Sequence, residues 1–149
     1  MKVSKSLGIM FGLALILAAC TPQPWTPQVE YANSVSDGQM SLRWNCLFEP
    51  PGLVVQGFVN NILMTPLRGT QISVIGINAQ GVQVSSGMDN SIPLNLNTNT
   101  RTPFEIKVPT TGTEVTFNLW YTYRVGGPSL QAEAPQRNVR NNACPGVPR

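Results

Sequence analysis

The stretch Glu114-Val-Thr-Phe-Asn-Leu-Trp-Tyr-Thr-Tyr-Arg124 alternates between two kinds of side chain from one end to the other. One alternate set is apolar or aromatic and comprises Val115, Phe117, Leu119, Tyr121 and Tyr123. The other set comprises Glu114, Thr116, Asn118, Trp120, Thr122 and Arg124. Successive side chains of a β-strand point to opposite faces, so this pattern predicts a half-buried strand with the first set in the core.

Shorter apolar runs separated by turn residues precede this stretch. They cover residues 40–47, 53–59, 70–77, 82–85, 91–96 and 103–108. Proline, glycine and asparagine lie between them, and Asn78-Ala-Gln-Gly81 is typical of a hairpin turn. We find no ten-residue stretch with helical periodicity. Many short strands with turns between them predict an all-β fold, a small immunoglobulin-like β-sandwich.

The N-terminus has the pattern of a secretory signal. Lys2 and Lys5 are followed by thirteen uncharged residues, 7–19. A bilayer core needs about 20 apolar residues, so this run is too short to span it and is typical of a signal h-region. The run ends in Leu17-Ala-Ala-Cys20, which resembles the lipobox of bacterial lipoproteins. The resemblance implies cleavage before Cys20 and acylation of its thiol, for example by palmitate.

The lipobox resemblance implies a protein that is anchored to a membrane by lipid. The residue after Cys20 is Thr21, and the Asp that retains Gram-negative lipoproteins in the inner membrane is absent. The implied location is therefore the outer membrane, facing the periplasm or the cell surface. In a Gram-positive source it would be the outer face of the plasma membrane. A conventional signal peptide with an ordinary Cys20 thiol, or an uncleaved anchor, are the alternatives.

Removal of residues 1–19 changes the composition. The remaining 130 residues hold eight basic and seven acidic side chains, a net charge of +1. No basic stripe with interleaved aromatic residues is left, so we predict no nucleic-acid binding. We divide the chain into a signal peptide (1–19), a lipidated cysteine with a proline-rich linker (20–38), a β-sandwich domain (39–126) and a tail (127–149).

The cysteine count predicts a disulfide. Three cysteines are present, and lipidation of Cys20 would leave Cys46 and Cys144 as one pair in an oxidising compartment. Such a bridge would tie the tail to the first strand of the domain. The alternative is two free thiols.

A second resemblance covers residues 53–108. Gln56-Gly-Phe-Val-Asn-Asn61 resembles the opening G-x-V-x-N motif of FxLYD-type immunoglobulin-like domains, and Pro103-Phe-Glu-Ile106 is similar to a later segment of that family. The naming motif would fall on residues 74–78, where its Phe, Leu, Tyr and Asp are all replaced. The family shares no catalytic residues, so the resemblance implies none here. Structural roles account for the matching positions: Asn60 suits a turn, and Phe104 and Ile106 suit one strand face.

Catalytic chemistry has few candidates. The chain has no histidine, which excludes Ser-His and Cys-His nucleophilic sites built from this chain alone. Glu105 and Glu114 could form a glycosidase pair, but solvated acids on a sheet face are the favoured interpretation, since exposed acids are the rule. Asp89-Asn90 offers too few carboxylates for a calcium site, and three cysteines are too few for structural zinc. We predict no enzyme activity, no cofactor and no metal.

The polar face of the 114–124 strand is the strongest candidate for binding. Trp120 and Arg124 share that face, and both residue types are enriched at interface hot spots. Alternatively, Trp120 packs under the tail or under the second sheet. Arg137 and Arg140 could meet an acidic partner or lipid headgroups, or belong to a solvated tail. We predict a lipoprotein that binds or positions another envelope protein; the alternative is an envelope hydrolase or a small-ligand-binding protein.

Overall fold

A computed structural model of the chain describes residues 30–126 and 135–145. The predicted signal peptide, Cys20 and the first part of the predicted linker lie outside these residues. The strands within them are β1 Asn33–Ser36, β2 Met40–Glu49, β3 Gly52–Asn61, β4 Leu67–Asn78, β5 Gln83–Met88, β6 Asn95–Leu96, β7 Arg101–Pro109, β8 Glu114–Val125 and β9 Gln136–Arg140.

The strands form two antiparallel sheets that pack face to face. Sheet 1 has the order β1-β2-β3-β7, and sheet 2 has the order β5-β4-β8-β9 with the short β6 paired to β4. The order β2-β3-β7 corresponds to strands A, B and E of an immunoglobulin domain, and β5-β4-β8-β9 to strands C′, C, F and G. The predicted all-β, immunoglobulin-like sandwich is therefore confirmed.

The core lies between the inner faces of the two sheets. Fully buried side chains on β2 include Met40, Leu42 and Trp44, and β8 contributes Leu119 at 0% exposure. The indole of Trp44 fits because Gly57 lies opposite it on β3; a Cβ at Gly57 would collide with the Arg43 backbone and the Trp44 side chain. Close packing of this kind explains why a glycine is needed inside a strand.

The prediction that Val115 lies in the core was wrong. Phe117, Leu119, Tyr121 and Tyr123 are buried, but Val115 is 41% exposed. Asn78 of β4 pairs with Glu114, and the residue before it, Ile77, pairs with Thr116, so Val115 is left without a partner. This β-bulge turns Val115 away from the core.

Two short polar strands lie where the sequence predicted a linker and a tail. Asn33–Ser36 pairs with β2 at the edge of sheet 1. Gln136–Arg140 pairs with β8 at the edge of sheet 2. Both segments are polar, so neither carries the period-two pattern that marks a half-buried strand. Their conformation follows from the neighbouring strands, which supply the hydrogen-bond partners.

The predicted disulfide between Cys46 and Cys144 is present, with a Cα–Cα distance of 5.6 Å. The chain around Cys144 contacts both sheets. The Trp44 indole N–H donates to the Ala143 carbonyl at 2.8 Å. The Ala143 N–H donates to the carbonyl of Phe117 in β8 at 2.6 Å. The segment that follows β9 is therefore fixed to sheet 1 by the disulfide and to sheet 2 by its backbone.

The turn after β3 is closed by Asn61, and the expectation that Asn60 does so was wrong. Asn61 is fully buried. Its Nδ2 donates to the carbonyls of Thr65 and Leu96, both at 2.9 Å, and its Oδ1 accepts from the Leu63 N–H. Asn60 lies on the opposite face of β3, because adjacent residues of a strand alternate.

Candidate partner-binding face

The outward face of sheet 2 collects side chains from three neighbouring strands. On β8 it presents Trp120, Thr122 and Arg124, and residues directly opposite these on adjacent strands share the face. Three such rows run across the sheet: Ser73–Trp120–Val139, Gln71–Thr122–Arg137 and Arg68–Arg124. Sheet 1 packs on the other side, against the buried face of β8.

A groove of about 600 Å³ runs along this face. We call it the sheet-2 groove. Its lining residues are Gly69, Gln71, Ser73, Ile75, Trp120, Thr122, Arg124, Pro135 and Arg137. Trp120 is 39% exposed and the neighbouring Val139 is 44% exposed, which leaves an aromatic and an aliphatic surface open to solvent. The groove therefore combines apolar contact area with polar and charged groups, as binding sites generally do.

The charge of the sheet-2 groove is positive. Arg124 and Arg137 line it, and Arg68 lies directly opposite Arg124 on the same face. Within residues 30–126 and 135–145, the one ion pair joins Lys107 to Glu105 at 3.2 Å, and it lies in sheet 1. The three guanidinium groups consequently have no ion-pair partner among the described carboxylates. A cluster of one sign produces a local positive potential that attracts anionic groups.

A polar cluster of the exposed Asp37, the buried Tyr123 and the half-buried Asn138 lies on the side of the sheet opposite the groove. The Asp37 carboxylate accepts hydrogen bonds from the Tyr123 hydroxyl at 2.7 Å and from Asn138 Nδ2 at 3.1 Å. Burial and the neighbouring Asp37 carboxylate raise the pKa of Tyr121 to about 12, and they raise the pKa of Tyr123 as well. The cluster joins the β1–β2 loop to β8 and β9, which fixes the two strands that carry Trp120 and Arg137.

The predicted pair of Trp120 and Arg124 does share one face of the sandwich. Sheet 1 does not cover Trp120, and β9 pairs alongside β8 without covering the indole. Arg137 joins this site, whereas Arg140 lies opposite the inward-facing Leu119 and does not line the groove.

The sequence analysis did not predict that β4 side chains line this groove, or that Val139 lies beside it. Alternation within residues 70–77 could have placed Gln71, Ser73 and Ile75 on one face. Nothing in the sequence showed that this face adjoins that of Trp120, because the pairing of β4 with β8 joins segments that are distant in the chain.

The two candidate glycosidase carboxylates lie in different sheets. Glu105, on β7, pairs with Lys107. Glu114, at the start of β8, accepts hydrogen bonds from the Thr111 and Gly112 N–H groups at 2.9 and 3.0 Å. Burial raises the pKa of Glu114, but the hydrogen bonds, led by that from Thr111, outweigh it and lower the pKa to about 2. A glycosidase general acid needs a raised pKa, so the lowered pKa of Glu114 is the opposite of what that role requires.

Asp89 is buried and has a structural role. Its Oδ1 accepts from the Ser91 hydroxyl at 2.7 Å and the Ile92 N–H at 3.1 Å, and its Oδ2 accepts from the Glu105 N–H at 2.7 Å. The carboxylate thus joins the loop after β5 to β7. Among the described residues there is no cluster of three metal-ligating acid, cysteine or histidine side chains. Over the same residues, no helix has the length and apolar character needed to cross a membrane.

A second groove, of about 420 Å³, lies on the outer face of sheet 1. We call it the sheet-1 groove; it is lined by Tyr31, Asn45, Gln56, Gly57, Ser91, Pro103, Phe104 and Glu105. Beside it, the Arg101 guanidinium lies 3.6 Å from the centre of the Phe58 ring, and Tyr31 packs edge-on against that ring. The cation and aromatic groups here already contact each other, whereas no described residue forms an ion pair with the arginines of the sheet-2 groove, where Trp120 is partly exposed.

No family model matches the chain, and no curated protein matches it. The structure is similar to the crystal structure of the yeast GGA1 GAE domain, with a TM-score of 0.49 and 13% sequence identity. The similarity covers 75% of this chain and 96% of that domain. The lipobox and FxLYD resemblances remain predictions from the sequence.

Proposed function

We propose that this protein is a non-enzymatic, lipid-anchored lipoprotein of the cell envelope whose β-sandwich binds or positions another envelope protein. The observation that carries the proposal is the sheet-2 groove, where the exposed side chains of Trp120 and Arg124 share one face with Arg137. Trp and Arg are the residue types that contribute most to protein–protein affinity. Cys20, after its apolar run, supplies the anchor in this proposal.

The proposed mechanism is tethering. Cys20 and Glu30, the first residue that the structure describes, are ten positions apart in the chain. A fully extended chain of that length covers at most about 35 Å. An anchored domain would therefore stay close to the membrane surface, which raises its effective concentration for a partner in the same layer. Outer-membrane attachment is the proposed location because Thr21 follows Cys20.

Substitution of Cys20 tests the anchor. We expect wild-type protein to partition into the detergent phase, and Cys20→Ala to enter the aqueous phase, because the acyl chains would be lost. The control is a Cys46→Ser, Cys144→Ser double variant, which keeps Cys20 and should partition as wild type does. Recovery of processed Cys20→Ala protein in the detergent phase would refute the proposed anchor.

Small-ligand binding is the second candidate, and the sheet-1 groove is the observation that favours it. The groove has the volume of a small-ligand site and mixes aromatic and polar side chains. A small ligand bound there would raise the melting temperature of wild-type protein but not that of Gln56→Trp, which fills the groove. Equal shifts in both proteins would exclude the sheet-1 groove as the ligand site.

A further inference from the structure

We propose that the sheet-2 groove binds an acidic protein segment, one whose Asp and Glu side chains pair with Arg124 and Arg137 beside an apolar contact on Trp120. This inference rests on the proposed function and specifies the chemistry of the partner.

The arginines of the sheet-2 groove are complementary in charge to an acidic segment. Arg68, Arg124 and Arg137 lie on one face, and no described carboxylate forms an ion pair with any of them. Guanidinium groups bind carboxylates through two parallel hydrogen bonds. The Asp37 carboxylate, on the inner side of this part of the sheet, accepts hydrogen bonds from Tyr123 and Asn138 and forms no ion pair with these arginines. An incoming carboxylate could therefore pair with guanidinium groups that have no ion-pair partner among the described residues.

The apolar part of the groove favours a protein segment over a bare anion. Trp120 and Val139 lie opposite each other in the strand pair and are both partly exposed, and Ile75 also lines the groove. An apolar side chain of the partner can cover this surface, while adjacent carboxylates reach the arginines at one end. Aromatic anchors next to charged groups are typical of protein–protein hot spots.

The position of the groove favours a protein over the anchoring membrane. The first described strand, β1, lies at the edge of sheet 1. The groove lies on the outer face of the other sheet. Binding of the groove to lipid headgroups or to an anionic glycan would therefore refute the proposal.

Site-specific photo-crosslinking in intact cells tests whether the sheet-2 groove binds an acidic protein segment. A photoactivatable phenylalanine derivative replaces Gln71, an exposed residue that lines the groove, in the full-length protein. The matched control carries the same probe in place of Gln56, an exposed residue of β3 that lines the sheet-1 groove. Mass spectrometry then identifies the crosslinked molecule and the segment that is joined.

We expect the Gln71 probe to join an Asp- and Glu-rich protein segment that the Gln56 probe does not capture. Arg124→Glu should lower the yield of this adduct about tenfold or more, and Arg124→Lys should lower it less, because charge is kept but the bidentate geometry is lost. Trp120→Ala should also lower it. Synthetic peptide of that segment should bind purified wild-type protein more weakly as salt increases, and a peptide with Gln and Asn replacing its acids should not bind.

The proposal would be wrong if the Gln71 probe formed no adduct, or if its adduct contained a lipid or a glycan. It would also be wrong if the crosslinked protein segment had no acidic residues, or if Arg124→Glu left the yield of the adduct unchanged. A specific partner captured at Gln56 alone would refute the groove and leave the proposed function standing. Recovery of processed Cys20→Ala protein in the detergent phase would refute the lipid anchor but would not affect the proposed binding at the groove. Arg137→Glu, on the edge strand β9, replaces Arg124→Glu if that variant fails to form its disulfide.

Discussion

At the scale of single residues, neighbouring positions of one strand have very different roles. Asn61 is fully buried and makes three hydrogen bonds that close the turn after β3. Asn60 precedes it on the opposite face, opposite Arg101 of β7. The two residues are chemically identical, so alternation of the strand alone decides which amide is structural.

Substitution of the two asparagines provides a matched test. Asn61→Ala should lower the free energy of unfolding by about 2–3 kcal/mol, because the Thr65 and Leu96 carbonyls would lose a buried donor. Asn60→Ala should cost about 0.5 kcal/mol or less. Urea denaturation of both variants measures the difference, and similar losses would contradict the assigned role of Asn61.

At the scale of elements, the connection between β7 and β8 depends on a carboxylate. Glu114 accepts hydrogen bonds from the N–H groups of Thr111 and Gly112, in the tight turn where Gly112 has a φ of 80°. Its pKa is about 2, below the ordinary value of 4.5. A lowered pKa stabilises the fold above pH 4.5, and this contribution is lost as the pH falls from 4.5 towards 2.

Glu114→Gln should therefore change how stability depends on pH. Between pH 5 and pH 2, wild type should lose about 1 kcal/mol more than Glu114→Gln, a value reduced by solvent screening at this partly exposed site. Denaturant unfolding at several pH values measures the two curves. The control Glu105→Gln, which removes an exposed ion pair, should follow wild type. Parallel curves for wild type and Glu114→Gln would contradict the assignment.

The edge strand β9 forms because of its neighbour and not because of its own sequence pattern. The strand β9 was predicted as part of a tail because its residues are polar and show no alternation of apolar side chains. Its partner β8 has the clearest pattern in the chain. Strand formation at β9 thus depends on the exposed hydrogen-bonding edge of β8, and Arg137 enters the groove only because of that pairing.

At the scale of the whole molecule, the disulfide joins the first long strand to the end of the described chain. Cys46 and Cys144 are separated by 98 positions. The long covalent loop restricts the unfolded chain, and the folded segment around Ala143 contacts Trp44 and Phe117. The same segment follows β9, so the bridge also stabilises one side of the sheet-2 groove.

Loss of the disulfide should lower the free energy of unfolding by about 3–5 kcal/mol, the range expected for a loop of this length. The Cys46→Ser, Cys144→Ser double variant tests this by thermal and denaturant unfolding. Wild type should shift mobility on a gel when reduced, and the double variant should not. An unchanged stability in the double variant would show that the bridge contributes little beyond the packing around it.

The sequence alone determined the parts that depend on local pattern. The alternation of residues 114–124 predicted a strand and most of its buried face, the turn at residues 78–81 was confirmed, and cysteine counting predicted the pairing of Cys46 with Cys144. These features follow from period, turn chemistry and residue count, which need no knowledge of neighbouring strands.

Only the tertiary structure decided which strands are adjacent, and hence what the outer faces contain. Arg68, Arg124 and Arg137 come from three separate segments, and they share one face because β4 and β9 pair with β8 in a particular register. Register and strand order depend on contacts between distant residues and on how the two sheets cover each other, which no local pattern encodes.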